Sequence, residues 1–466
     1  MKIAICAVVS LAAVASSLFA QTPTVTIPKD VGGVFHDAVL GPQIGVVAET
    51  FQCVERFEML NPQPPPKIDG QPSPKEVAKL VGKRTVTLYR PVFMKFDFKP
   101  QGREIYVGVD GKDTAAGTKE APLKSINKAV ALAKPGDHVV VLAGTYYELV
   151  RISGKKGTAE KPIVLRAADG VRPRIELPPG DGLKRPGEMG TGVERMAVVR
   201  LENVAFFQIH GFEVVGAMGR EDEWPLEFNS AVGIMCDSCG DGFIISENII
   251  HNNVHCGIKV ESLKPYLAVG NLVYNNGASR HHDHGAYHHG DASVYLGNVF
   301  FANGGYAFHF YGTEGKHNLF RGNLIIENGF GEINDGPDNY FLNNVFARSE
   351  KSALYMWGEK SYNNVFVNDI FYQDKLAIDR VGYGDLPLPT GIFAANVFWP
   401  RQGGKIASVN MPESIWKVNG GLVADPGFEN AAAYDFRLRK DSPCIEAGQN
   451  CGLPFKGKKP NIGAFE

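Results

Sequence analysis

The chain has 466 residues, with 48 Lys and Arg against 50 Asp and Glu, and a net charge of −2 at pH 7. A hydrophobic share of 44% rules out disorder, and the balanced charge argues against nucleic acid as the main partner. Glycine is the deviation: 53 residues, against ~7% in an average chain, the usage of many short strands joined by tight turns.

Residues 1–20 read as a signal peptide. Lys2 gives a basic start, Ile3 to Phe19 is apolar or small throughout, and Ala20-Gln21 offers a cleavage point. The mature chain is therefore expected to be secreted or periplasmic. No later stretch supplies the ~20 continuous apolar residues of a membrane span. Residues 21–103 form an N-terminal extension or small β module: Asn61-Pro-Gln-Pro-Pro-Pro is stiff and linker-like, while Thr85–Tyr89 and Phe93–Phe98 alternate as strands do. Of the cysteines beyond Cys6, Cys444 and Cys451 flank a short Gly-containing loop and are predicted to bridge. Cys236-x-x-Cys239 is half of a zinc or redox motif with no second half.

From residue 104 the text becomes regular. Ile105-Tyr-Val-Gly-Val is a predicted strand, and Ile126, Ala129, Val130 and Ala133 recur at helical spacing before Pro135-Gly-Asp. Such a helix suits the end of an open stack of strands, which would otherwise expose unpaired backbone. An Asn followed by apolar residues then recurs at Asn248, Asn271, Asn298, Asn323, Asn344, Asn368 and Asn396, at intervals of 21 to 28 residues. That period means a solenoid. Leucine is too sparse for leucine-rich repeats, and Gly, Asn and β-branched residues too frequent for helical ones. Short strands with one stacked Asn per turn fit an all-β parallel β-helix over 104–400, with C-terminal coils and a closing segment over 401–466.

The segment from Ile105 to Glu148, with Ser125-Ile-Asn-Lys-Ala-Val, Pro135-Gly-Asp and Ala143-Gly-Thr-Tyr-Tyr-Glu, resembles the opening of secreted right-handed parallel β-helix proteins. This group includes pectate lyases, chondroitinase-B-like lyases and β-helix glycosidases. Asp425-Pro-Gly-Phe, Ser442-Pro-Cys-Ile-Glu-Ala-Gly and Asn461-Ile-Gly-Ala-Phe-Glu resemble the way such chains close. The resemblance spans roughly residues 104 to 466 and implies the fold. It carries over no catalytic residue, because no lyase or glycosidase motif is intact.

Aligning the coils places Ile258, Ala286, Phe308, Ile333, Leu354 and Ile378 inward. Strand alternation then turns Lys259, Tyr287, His309, Asn334, Tyr355 and Asp379 outward, with Glu261, His289, Tyr311 and Trp357 two residues further on. A polar and aromatic strip of this kind suits an oligosaccharide better than a plain solvated face. Nine of the 12 histidines lie between His251 and His317, five of them within His281–His289. Their spacing matches no standard metal motif, whereas Asp283, Asp291 and Glu261 are candidate oxygen ligands for calcium.

Three readings follow for a polysaccharide partner of a monomeric protein. A lyase acting on a uronate-containing polysaccharide by β-elimination needs a cation and a proton-transfer group. Lys259, Tyr287 and His309 are the candidates, with Arg280 or Arg321 for substrate carboxylates and Tyr355, Trp357 and Tyr311 for stacking. C5 epimerisation starts with the same proton. A glycoside hydrolase needs paired carboxylates, for which Glu332, Asp335 and Asp338 are available. A non-catalytic carbohydrate-binding surface protein would need the aromatics alone.

Overall fold

The computed structural model describes residues 25–36, 46–47, 53–60, 83–178, 197–216, 232–277, 283–310, 315–334, 336–357, 361–373, 375–381, 391–407 and 420–465. The predicted signal segment, the Asn61 proline run, Arg280 and Tyr311 lie outside them. Among the described residues, no helix is long and apolar enough to cross a membrane.

Each coil contributes one short strand to each of three parallel sheets, which hold 11, 11 and 10 strands. The first sheet runs from Glu104–Val107 to Gly391–Ala394, the second from Thr145–Tyr147 to Leu422–Val423, and the third from Val150–Ser153 to Lys405–Ala407. Consecutive coils pair in register throughout, as expected of a right-handed parallel β-helix. The predicted capping helix is present as Ile126–Leu132. Ser125 Oγ accepts from the Lys128 amide, and the Glu148 carboxylate takes the amides of Ile126 and Asn127. Ile126, Ala129 and Val130 are buried against the first coil.

Asparagine fixes the corners. Between the first and second sheets, Asn248, Asn271, Asn298, Asn323 and Asn344 stack. Each donates its side-chain amide to the next coil's Oδ1, at 2.9–3.2 Å. A second ladder, Asn253–Asn276–Asn303–Asn328, turns the chain from second to third sheet. A third, through Asn318, Asn339 and Asn364, returns it to the first. These side chains occupy buried corners where backbone groups would otherwise lack partners. One predicted member is corrected: the rung after Asn344 is Asp369, not Asn368. Asn368 has φ 59° and occupies the left-handed corner filled by Gly297, Gly322 and Asn343 in earlier coils. That conformation favours Gly and Asn, so the preceding residue mimics a ladder residue in sequence. Inside, Phe320, Phe341, Phe366 and Phe393 stack with ring centroids 4.6–4.9 Å apart.

Beyond their first few coils the two 11-stranded sheets are mostly apolar on both faces, and segments from both ends of the described chain cover their outer sides. Phe57, Val86 and Leu88 join Phe428, Phe436 and Phe465 over the second sheet. Val25, Ile27, Phe35, Phe93 and Met94 join Cys451 and Leu453 over the first. The third sheet differs. Ile258–Glu261 and Ala286–His289 alternate buried and half-buried residues, so a polar face looks outward.

The cysteine prediction is corrected. Cys236 and Cys239 are bonded, with Cα atoms 6.0 Å apart, while Cys444 and Cys451 are free and buried. Cys444 packs into the apolar layer over the second sheet and Cys451 into that over the first, which separates the two thiols.

Candidate functional site

The outer face of the third sheet carries the predicted column. Lys259, Tyr287 and His309 are register partners on three successive coils, followed by Ile333, Tyr355 and Asp379. Lys259, Tyr287, His309, Tyr355 and Asp379 are half-buried, as are Glu261 and His289 beside them. The expected Asn334 is displaced by Ile333, because that coil runs one residue earlier. Phe330 pairs with Tyr306 and stacks on it at 4.7 Å, and Gly331 then fits under Ala353, whose carbonyl would lie 2.2 Å from an added Cβ. The slip puts Glu332 in backbone register with Phe308 and Leu354.

Polar contacts knit the column together. Lys259 Nζ lies 2.9 Å from Glu261 Oε1 and 5.4 Å from the centre of the Tyr287 ring. The Tyr287 hydroxyl is 3.2 Å from His289 Nε2. The His309 ring meets Tyr287 edge-on at 5.1 Å, and its Nδ1 is 2.9 Å from Nε2 of His284, a fully buried histidine. The half-buried Tyr355 extends this surface, packed on the buried rings of Tyr306 and Phe330 with centroids 4.7–6.0 Å apart. An ammonium, a phenol, imidazoles and an apolar shelf thus share one face. That set can neutralise a carboxylate, move a proton and seat sugar rings.

Beside it, His255 Nδ1 lies 2.9 Å from Asp283 Oδ1 and 3.2 Å from Cys256 Sγ. Burial pulls the His255 imidazolium down, but Cys256 and Asp283 together outweigh it and raise the group to about 10.

Other predicted residues stand elsewhere. Arg321 is on the first sheet, buried, donating to Pro454 O at 2.8 Å with Phe93 5.1 Å away. It is therefore removed from the column. Trp357 pairs through its backbone with Val381 on the third sheet. The three candidate calcium ligands do not converge: Glu261 holds Lys259, Asp283 holds His255, and Asp291 accepts the Lys316 amide. Among the described residues, no group of three or more His, Cys, Asp or Glu is placed to hold a metal ion. His288 points inward, donating Nε2–H to Gly290 O and facing the Tyr266 hydroxyl at 2.7 Å. A separate cleft lined by Phe96, Phe98, Lys99, His138 and Gln208 opens against the first sheet, away from this face.

Sequence reasoning missed His284, Tyr306 and Phe330. They share one coil position with Cys256, just before the small residue that opens each third-sheet strand. That recurring place was the signal.

A profile of the Pel9A-like right-handed β-helix region matches residues 105–365. The chain belongs to the Pel9A-like right-handed β-helix family. This family member is 33% identical to pectate lyase PEL9 of Emericella nidulans over 118 residues, which make up 24% of this chain and 28% of that protein. The chain thus matches little more than a quarter of that relative's length. The crystal structure of pectate lyase Pel9A superposes with a TM-score of 0.51 at 16% identity, covering 78% of this chain and 96% of that one. A rhamnogalacturonan lyase structure gives 0.48 at 15% identity, covering 78% and 97%. The likeness to Pel9A is one of fold.

Proposed function

We propose that this family member is an exported polysaccharide lyase that cleaves a uronate-containing polysaccharide by β-elimination on the outer face of the third sheet. The observation that carries the reading is the alignment of Lys259, Tyr287 and His309 on three consecutive coils. At the ~4.8 Å coil spacing these side chains span about one to two sugar rings. The pectate lyase relatives support the same class and make pectate the first substrate to test.

The chemistry divides among these groups. Lys259, held by Glu261, and His309 face the uronate carboxylate and the negative charge that grows on it. Tyr287 passes its phenolic proton to His289 and, as phenolate, takes the proton from C5. The electron pair forms the C4=C5 double bond and the C4–oxygen bond breaks. Tyr287 then returns the C5 proton to the departing oxygen. Tyr355, backed by Tyr306 and Phe330, stacks on a neighbouring sugar ring.

The test is to incubate the full chain with pectate, alginate and a neutral xylan. Absorbance of the unsaturated product on a uronan, lost on Tyr287→Phe and lowered ~10² or more on Lys259→Ala, is the expected result. Reducing ends without the double bond would mean hydrolysis, for which Asp237 and Glu261, register partners on adjacent coils, are the carboxylates to examine. Deuterium entering C5 without scission would mean epimerisation, and binding without turnover a recognition surface. Export predicts that the secreted product begins at Gln21, which N-terminal sequencing reads directly.

A further inference from the structure

We propose that His284 is a positioning residue that fixes His309 as a neutral imidazole with its proton on Nε2, so that His309 meets substrate as a hydrogen-bond donor and not as a base. The inference rests on the reading of the third-sheet face as the catalytic surface.

The argument starts from a group whose role cannot change. The backbone amide of Tyr306 is only a donor, and it points at His284 Nδ1 at 3.3 Å. His284 Nδ1 must therefore present its lone pair. A ring whose Nδ1 accepts is a neutral imidazole, and its single proton sits on Nε2. That nitrogen faces His309 Nδ1 at 2.9 Å, which must accept. The remaining proton of His309 is then on its other nitrogen, Nε2. Protonating Nδ1 of His309 would set two N–H groups against each other.

Packing holds the arrangement. The His284 ring lies nearly parallel to Tyr287 at 5.8 Å, tilts against Tyr306 at 5.2 Å and stands perpendicular to His309 at 4.6 Å. Tyr287 and Tyr306 also flank the His309 ring, at 5.1 and 5.4 Å. A neutral imidazole aimed at a developing enolate polarises it without the desolvation cost of a buried cation. Lys259 then supplies the positive charge and Tyr287 the proton transfer. A histidine locked in this way cannot take the C5 proton, because Nε2 is already protonated and Nδ1 is occupied.

The test needs no substrate. Nitrogen NMR of the full chain labelled at histidine, with His309 assigned from the His309→Asn variant, should show Nδ1 unprotonated and Nε2 protonated from pH 5 to 8. His284→Phe, which cannot donate, should give mixed tautomers titrating near the ordinary ~6.5. His284→Gln, which can donate, should restore the single tautomer. On an active substrate, His284→Phe should lower kcat/KM roughly ten- to hundredfold, the range seen for partners that orient a histidine, with partial recovery in His284→Gln. A wild-type spectrum with His309 protonated on Nδ1, or tautomers already mixed, would overturn the proposal, and this readout stands even if His284→Phe fails to fold. Absence of unsaturated product from the wild-type chain would sink the lyase reading while leaving the tautomer result intact.

Discussion

Asp369 accepts both the backbone amide and the side-chain amide of Asn344, at 2.7 and 2.9 Å, in a ladder whose preceding rungs are all asparagine. Its other oxygen, Oδ2, is buried without a partner. Burial pushes this carboxyl up to about 8, against the two hydrogen bonds from Asn344 that favour its charged form. The folded chain therefore holds a proton that the unfolded chain releases near pH 4. The contribution of Asp369 to stability should fall as pH rises from about 4 to 8.

Replacing Asp369 by Asn should remove this slope and supply a donor for Asn396 Oδ1. Urea unfolding should show the variant more stable than wild type at pH 8, by up to a few kcal/mol, with the gap closing toward pH 4. An unchanged gap across that range would show that the carboxyl is not the titrating group.

His288 should act in the opposite direction. Burial drives this imidazole down to about 4, so the fold keeps it neutral while the unfolded chain protonates near 6.5. Its contribution is complete above pH 6.5 and is lost as pH falls toward 4. His288→Gln should flatten the acid limb of a melting-temperature profile, even if it lowers the plateau by disturbing the Tyr266 contact.

Tyr355 lies on the aromatic shelf, beyond the proton-moving groups. Tyr355→Ala should raise KM several-fold and leave kcat within about twofold, the pattern of a group that binds ground and transition states alike. A fall in kcat with KM unchanged would put Tyr355 in the chemistry.

Burial raises the Cys444 and Cys451 thiols to about 11 and 12. Neither should alkylate at pH 8 in the native chain, and both should react after denaturation without reductant. Mass spectrometry of an unreduced digest should recover the Cys236–Cys239 link. A Cys444–Cys451 peptide pair would contradict the structure.

The coil repeat, the capping helix and the outward phase of Lys259, Tyr287, His309 and Tyr355 were legible because side-chain alternation and Asn stacking act within a few residues or one coil. The Phe330 coil was not, since one slipped residue follows from ring stacking on Tyr306, a contact between coils. Asn368 misled because left-handed corners and ladder rungs both favour asparagine. The covering of two faces had a local sign: Val299-Phe-Phe and Leu324-Ile-Ile are apolar without alternation, whereas Ile258-Lys-Val-Glu alternates. What covers them comes from segments far away in the chain, and no periodicity reports that. Arg321 failed for the same reason, because its partner Pro454 is 133 residues away.

Arg84 and Tyr434, from opposite ends of the chain, both grip Glu327, Arg84 at 2.9 Å and Tyr434 at 3.1 Å. A bare solenoid frays coil by coil, because each repeat touches only its neighbours. Here the straps run lengthwise over many coils, so a terminal coil cannot peel away without lifting a strip fastened to the middle. The molecule should come apart as one cooperative unit. Arg84 must also wait for Tyr434, made 350 residues later, before the clasp at Glu327 can close.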